Sequence, residues 1–233
     1  MTIEIHLVKG RRPGPVNGRL QSYLARATNL PEKRRVSQAA DIFERAIDGH
    51  LKTIASLREQ IPLLTRIAVA MSRTVLEGRT IFWCGNGGSA ADAQHLAAEL
   101  VGRFLRERRA LPSMALTVNS SVVTAIGNDY GYEYVFSRQV EALAAPGDVV
   151  VGISTSGNSK NVCLALQAAR KIGAFTVAFT GQAGGAMADL ADETLRMPSS
   201  ETPRIQEGHI LCGHMLCDYI EQCVCQAADP DRR

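Results

Sequence analysis

The sequence predicts a doubly wound α/β protein in which a five-stranded parallel sheet is flanked by helices. Two observations support this prediction. Five short apolar runs alternate with longer stretches whose apolar residues recur every three or four positions, and such alternation is typical of right-handed β–α–β crossovers. Two of these runs also end in glycine- and serine-rich loops that lead into helices, and parallel sheets bind ligands at such places.

The front of the chain differs in charge from the rest. Residues 1–35 hold eight basic and two acidic residues, whereas the remainder holds 18 basic and 21 acidic residues, for a net charge of +3 over 233 residues. A basic arm can contact nucleic acid, but the glycines and prolines in this one favour a solvated, mobile extension. We therefore predict an extension over 1–35, with no function assigned, and a folded domain over 36–228.

The composition excludes several classes of protein. No apolar stretch approaches the roughly 18 residues that a membrane-spanning helix needs, and the N-terminus lacks the apolar core of a signal peptide. Six cysteines without a secretory signal are expected to be reduced thiols. We expect a cytoplasmic protein with no membrane contact.

The elements follow from periodicity and from the residues that end each run. Two helices are predicted first, at 36–57 and 62–76, because Pro62 suits a helix start and Gly78 a helix end. We expect these N-terminal helices to pack in an oligomer. Strands are predicted at 80–84, 114–118, 148–153, 175–180 and 194–197. Further helices are predicted at 89–105, 122–126, 133–143, 159–172, 186–190 and 203–225.

Two loops combine glycine with small polar residues. The loop after the first strand reads Gly85-Asn86-Gly87-Gly88-Ser89, and the loop after the third strand reads Ser154-Thr155-Ser156-Gly157-Asn158-Ser159. Glycine lets backbone approach a ligand, and free N–H groups at a helix start attract anions. Ser89 and Ser159 could instead only cap their helices. Because two such loops occupy corresponding places, a phosphorylated ligand is favoured. Neither loop has the glycine spacing of a dinucleotide site or the ending of a P-loop, which disfavours NAD and ATP.

Candidate chemical groups lie on two of the predicted helices. His95 and Glu99 are four residues apart and share a helix face, where they could bind a metal, orient a base or form an ordinary surface pair. Gln206 and His214 are about 12 Å apart along the axis of the last helix. One site collects both only if each side chain leans toward the other; otherwise the helix serves two sites across a subunit interface.

The last helix also carries four cysteines near its histidines. The order of His209, Cys212, His214 and Cys217 suggests a structural zinc site. That order spreads the ligands around the helix instead of gathering them, so the cysteines are expected to pack as small apolar side chains.

Five ordered motifs together resemble the phosphoheptose isomerases of the sugar-isomerase (SIS) fold. They lie at 85–89, 92–100, 127–131, 154–159 and 204–207, and the resemblance extends from about residue 36 to about residue 225. It implies conversion of D-sedoheptulose 7-phosphate to D-glycero-D-manno-heptose 7-phosphate. It also implies a cytoplasmic homotetramer that has one zinc per subunit. Because the first and last predicted helices are apolar on more than one face, we predict that Gln206 and His214 serve active sites near subunit interfaces that form only in the oligomer.

The resemblance also implies the roles of individual residues. Metal ligands would be His95, Glu99, Gln206 and His214. Substrate contacts would come from Asn86, Gly87, Gly88, Ser89, Glu99, Asn128, Asp129, Ser154, Thr155, Ser156, Ser159 and Gln206. Moving a carbonyl between adjacent carbons through an enediol requires a base and an acid, for which Glu99 and His214 are the catalytic candidates.

The same fold also includes proteins without catalysis. One class is an inactive scaffold that binds the bacterial replication initiator, and its residues at the positions of Glu99 and His214 are not an acid and an imidazole. Both are present here, which favours an enzyme. A sugar-phosphate sensor would need an effector module, and residues 1–35 are too short for a helix-turn-helix domain of ordinary size.

Overall fold

The computed structural model describes residues 32–228, and the chain divides into two compact units, Met1–Asp48 and Gly49–Arg233. In the first unit the described residues belong to helix α1 (Glu32–Ser56), which begins four residues before the predicted start. The predicted extension over 1–35 lies almost wholly outside the described residues and stays a prediction.

Strands and helices alternate through the second unit. After a 3₁₀ turn at Leu57–Gln60, the order is α2 (Ile61–Leu76), β1 (Ile81–Gly85), α3 (Gly88–Val101), β2 (Ser113–Ala115), α4 (Ser120–Asp129), a 3₁₀ turn (Tyr132–Tyr134), α5 (Ser137–Leu143), β3 (Val149–Ser154), α6 (Lys160–Ile172), β4 (Phe175–Thr180), α7 (Met187–Leu190), β5 (Glu193–Arg196) and α8 (Thr202–Ala228). The predicted order of elements is confirmed.

The five strands form one parallel sheet in the order β2-β1-β3-β4-β5. From β1 the chain moves outward to one edge, and from β3 it moves toward the other. The last residue of β1, Gly85, pairs with Ile153 near the end of β3. The carboxyl ends of β1 and β3 therefore border the crevice where doubly wound sheets bind ligands, and the fold class is confirmed.

Both faces of the sheet are buried under helices. Alternate residues of β1 point to opposite faces: Ile81 and Trp83 join an apolar cluster with α2, α3 and α8, whereas Phe82 and Cys84 join a second cluster with α5, α6 and α7. All four are at most 3% exposed. The sheet is thus a rigid base for the loops at its carboxyl edge.

Several predicted elements are shorter in the structure, and two of them end three or more residues early. The second strand was expected at 114–118 but ends at Ala115, because it is an edge strand that pairs only with three residues of β1. The helix expected at 89–105 ends at Val101. Beyond it, the backbone N–H of Phe104 donates to the side chain of Glu221 and not to a helical carbonyl.

Candidate active site

The loop after β1 lies against the first turn of α8. Gly87 has a φ of +56°, a left-handed conformation that glycine adopts without strain. A Cβ added to Gly88 would lie 2.2 Å from Nε2 of Gln206. The absence of a side chain at Gly88 therefore allows Gln206 to reach the start of α3.

The side chain of Asn86 joins the two predicted ligand loops. Its amide makes reciprocal hydrogen bonds of 2.9 and 2.8 Å with the amide of Asn161, in the first turn of α6, and its Oδ1 also accepts the Tyr132 hydroxyl at 3.1 Å. These bonds tie the loop after β1 to the first turn of α6 and to Tyr132. Asn161 and Tyr132 are not among the candidate residues identified from the sequence. The available signal for Asn161 was a polar residue two positions after the serine-rich loop, in a helix with a buried face.

The hydroxyls of the second loop converge. The Oγ of Ser154, the last residue of β3, lies 2.9 Å from Oγ of Ser159 and 3.3 Å from Oγ of Ser156. Ser159 is the N-cap residue of α6, but its side chain makes no capping hydrogen bond. Ser89 lies inside α3, whose N-cap is Gly87. The interpretation that Ser89 and Ser159 only cap their helices is therefore wrong. The hydroxyls of Ser154, Ser156 and Ser159 lie together at the start of α6, an arrangement of hydrogen-bond donors that suits an anion.

Three of the four side chains predicted to bind a metal come together between α3 and α8. Nε2 of His95 lies 2.9 Å from Nε2 of His214 and 3.1 Å from Oε1 of Glu99. The ligand atoms of all three residues lie within 4.8 Å of one another. Imidazole nitrogen and carboxylate oxygen are ligand types that zinc prefers. The donor set fits such an ion, and it also places an acid beside an imidazole.

One chain supplies this whole cluster. His214 of α8 reaches His95 of α3, and Gln206 reaches Gly88, which begins the same helix about two turns before His95. Both side chains of α8 therefore face α3 of their own chain. The alternative in which His214 serves a neighbouring subunit is not needed to bring it to Glu99.

Asn128 and Asp129 occupy a separate position. They end helix α4, are exposed, and form a hydrogen bond of 2.8 Å between the Asn128 amide and the Asp129 carboxylate. The chain that follows them reaches the loop after β1 through the hydroxyl of Tyr132. Among the described residues, the hydrogen bond recorded for the Asn128 and Asp129 side chains is the one between them, so their predicted contact with substrate stays a prediction.

Asp92 is an ionisable group that the sequence analysis missed. It lies one turn before His95 on α3, and burial raises its pKa to about 6, against the opposing effect of His95. Its Oδ2 is buried and has no hydrogen-bond partner among the described residues. A carboxyl with this pKa exchanges a proton near neutral pH.

The remaining candidates on α8 do not form a metal site. Burial raises the pKa of Cys212 and of Cys217 to about 12, so both thiols are protonated at neutral pH. All six cysteines are free. Burial lowers the pKa of His209 to about 4, and its Nε2 lies 3.1 Å from the carbonyl of Thr180. These residues pack in the core, as predicted for the cysteines.

Comparisons with known proteins identify a family and several relatives. The SIS domain family matches residues 43–181. A phosphoheptose isomerase of Aquifex aeolicus is 51% identical over 185 residues, which is 79% of this chain and 95% of that protein. Among solved structures, phosphoheptose isomerase GmhA from Neisseria gonorrhoeae has a TM-score of 0.71 and 43% identity over 80% of this chain and 98% of that chain. A phosphoheptose isomerase from Francisella tularensis has a TM-score of 0.74 and 36% identity over 81% and 98%.

Proposed function

The chain belongs to the phosphoheptose isomerases of the SIS-domain family, and from this premise we propose how its residues carry out the reaction. It is an aldose–ketose isomerase that converts D-sedoheptulose 7-phosphate to D-glycero-D-manno-heptose 7-phosphate. Identity at about half of the aligned positions with a named isomerase, over most of both chains, supports this conclusion most strongly. The inactive scaffold is not favoured.

We propose that the serine-rich loop binds the phosphate of the substrate. The converging hydroxyls of Ser154, Ser156 and Ser159 and the N–H groups at the start of α6 support this role. The sugar would then extend across the sheet toward the loop after β1, where it would contact Asn86, Gly87, Gly88 and Ser89. Thr155, Asn128, Asp129 and Gln206 would complete the substrate contacts.

The isomerisation requires one group that moves a proton between carbon atoms C1 and C2, and a second group that moves a proton between oxygen atoms O1 and O2. Glu99 removes a proton from C1 of the ketose, which yields an enediol, and returns it to C2. His214 moves the hydroxyl proton from O1 to O2, so the product is the aldose and no atom is gained or lost. The short distances within the cluster of His95, Glu99 and His214 support these assignments.

The same cluster would hold a zinc ion, one per subunit. His95, Glu99, Gln206 and His214 would be its ligands, and a bound zinc would polarise the substrate carbonyl as a Lewis acid. A carboxylate bound to metal is a weaker base. Glu99 would therefore act as ligand and as base at different times in the reaction.

We further propose a cytoplasmic homotetramer that acts on a sugar phosphate and has no nucleic-acid partner. Phe43, Ile47 and Leu51 lie four residues apart on one face of α1 and are 59–64% exposed, which suits burial between subunits. The six free cysteines support a reducing compartment. Within residues 32–228, no helix combines the length and the apolar character needed to cross a membrane.

The decisive experiment follows sedoheptulose 7-phosphate by NMR in the presence of the purified chain. Glu99→Gln is expected to lower kcat by about 10²- to 10⁴-fold. Glu193→Gln, which removes only a surface pair with Arg66, is the matched control and should keep normal turnover. Normal turnover by the Glu99 variant would refute the assignment of the base.

A further inference from the structure

A buried carboxylate on α8 holds the segment that follows α3. The Glu221 side chain has no exposed surface, and it accepts the backbone N–H groups of Phe104, Leu105 and Arg106 at 2.7, 2.7 and 2.9 Å. Glu221 lies two helical turns after His214, on the same face of α8. The segment is therefore tied to the helix that carries the imidazole of the active site.

Arg108 joins the same carboxylate to the end of α3. Its Nη2 lies 2.9 Å from Oε1 of Glu221, and its side chain is only 2% exposed. The guanidinium also donates to the backbone carbonyls of Glu99 at 2.8 Å and Gly102 at 2.7 Å. Arg108 thus contacts the backbone of the proposed catalytic base, while its partner Glu221 holds the chain just beyond it.

The anchored segment places one aromatic ring against His214. The rings of Phe104 and His214 are stacked, with centroids 5.1 Å apart and an angle of 18° between their planes. His95 contacts the same imidazole from a different direction, with ring planes at 62°. The imidazole of His214 is therefore held by the ring of Phe104, which stacks on its face, and by Nε2 of His95, which contacts its Nε2 atom.

A buried ion pair is not explained by stability alone. Desolvation of two charges offsets most of their attraction, and well-packed apolar residues often stabilise a protein equally well. Glu221 and Arg108 instead fix the position of the backbone that follows Glu99. Together they make seven hydrogen bonds or ion-pair contacts to the chain from Glu99 to Arg109 and to each other, and an apolar pair could make none of them.

We propose that Glu221 and Arg108 are positioning residues for the isomerisation, because they fix the segment from which Phe104 holds the imidazole of His214 toward Glu99. This inference rests on the proposed proton-transfer roles of Glu99 and His214. Misplacing a catalytic group by about 1 Å can lower the rate by about 100-fold. The pair therefore acts on kcat, whereas the phosphate-binding hydroxyls on β3 and α6 act on KM.

The first test replaces the stacked ring. Phe104→Leu is expected to lower kcat about 10- to 100-fold with KM for sedoheptulose 7-phosphate changed less than about twofold, and to weaken zinc binding to the metal-free protein in a chelator competition. Phe104→Tyr keeps the ring and should restore both properties. Phe175→Leu is the matched control, since Phe175 is also half-buried against the same core cluster but begins the interior strand β4, at the amino ends of the strands.

The second test separates this inference from the catalytic assignment. If His214→Gln keeps full turnover, the proposed proton role fails and the inference fails with it. If His214→Gln is inactive but Phe104→Leu has normal kcat and normal zinc affinity, only the positioning role is overturned. Circular dichroism gives the fraction of Glu221→Gln that is folded. That folded fraction should show the same lower kcat and weaker zinc binding as Phe104→Leu. A variant that does not fold leaves the decision to the Phe104 series.

Discussion

The Nε2 atoms of His95 and His214 lie 2.9 Å apart, although 119 positions separate the two residues in the sequence. Their neighbours explain how the helices approach so closely. A Cβ added to Gly213 would lie 2.5 Å from the side chain of Leu96, which is wholly buried. Because Gly213 precedes His214 and Leu96 follows His95, this contact sets the distance between the two imidazoles.

Gly213→Ala should therefore separate α3 from α8. Alanine is favoured over glycine in a helix by about 1 kcal/mol, but overpacking a filled core costs about 1–3 kcal/mol. We expect a lower free energy of unfolding in urea and a weaker zinc affinity. Gly127→Ala is the control: in α4 its Cβ would meet only ordinary contacts at 3.8 Å, so it should stabilise the protein. Equal stabilisation by both changes would contradict this account of the helix contact.

Removal of the metal should abolish most of the turnover. Dialysis against a chelator is expected to lower kcat, and added zinc should restore it, because the carbonyl would lose its Lewis acid. His95→Gln should weaken zinc binding by roughly tenfold or more, as measured by calorimetry. Cys223→Ser removes a thiol from the same helix and should leave the affinity unchanged. Activity that persists in protein shown to be zinc-free by elemental analysis would exclude a catalytic metal.

The serine-rich loop should not tolerate a side chain at Gly157. Gly157 has a φ of +67°, and a Cβ there would lie 1.9 Å from the carbonyl oxygen of Gly184. Gly78 has a similar φ of +74° with nothing within 4 Å. Each alanine variant should lose about 1–2 kcal/mol through its left-handed backbone. Only Gly157→Ala should also displace the loop and raise KM for the sugar phosphate, and equal KM values in steady-state assays would contradict this prediction.

His209 should make the protein sensitive to acid. Its pKa lies near 4 in the folded protein, against an ordinary value of 6.5, because burial disfavours the charged form. Below pH 6.5 the unfolded chain therefore binds a proton that the folded chain does not, and stability falls as pH falls toward 4. Because of His209, the free energy of unfolding is about 3 kcal/mol greater above pH 6.5, where the full effect is present, than well below pH 4.

The measurement compares urea unfolding at pH 7 and pH 4.5 for the parent protein and His209→Gln. The glutamine amide can still donate to the Thr180 carbonyl, so the variant isolates the loss of the titrating group. We expect a smaller pH dependence in the variant.

Much of this protein was predictable from short-range patterns. The alternation of strands and helices, the two ligand loops and the shared face of His95 and Glu99 all depend on residues close together in the sequence, where periodicity and turn chemistry apply. They were sufficient for the order of elements. The predicted length of β2 and the predicted end of α3 were wrong. Each of these features depends on a partner distant in the sequence, which is β1 for β2 and Glu221 for the end of α3.

The fold class and the kinds of chemical group present follow from short stretches of the chain, because local propensity and apolar patterning act over a few residues. Which of these groups meet depends on how the helices and strands pack. His214 reaches Glu99 because Gly213 lets α8 pack closely on α3, and Asn86 pairs with Asn161 because β1 and β3 are neighbours in the sheet. Such contacts depend on how closely whole elements pack, and no local pattern encodes that distance.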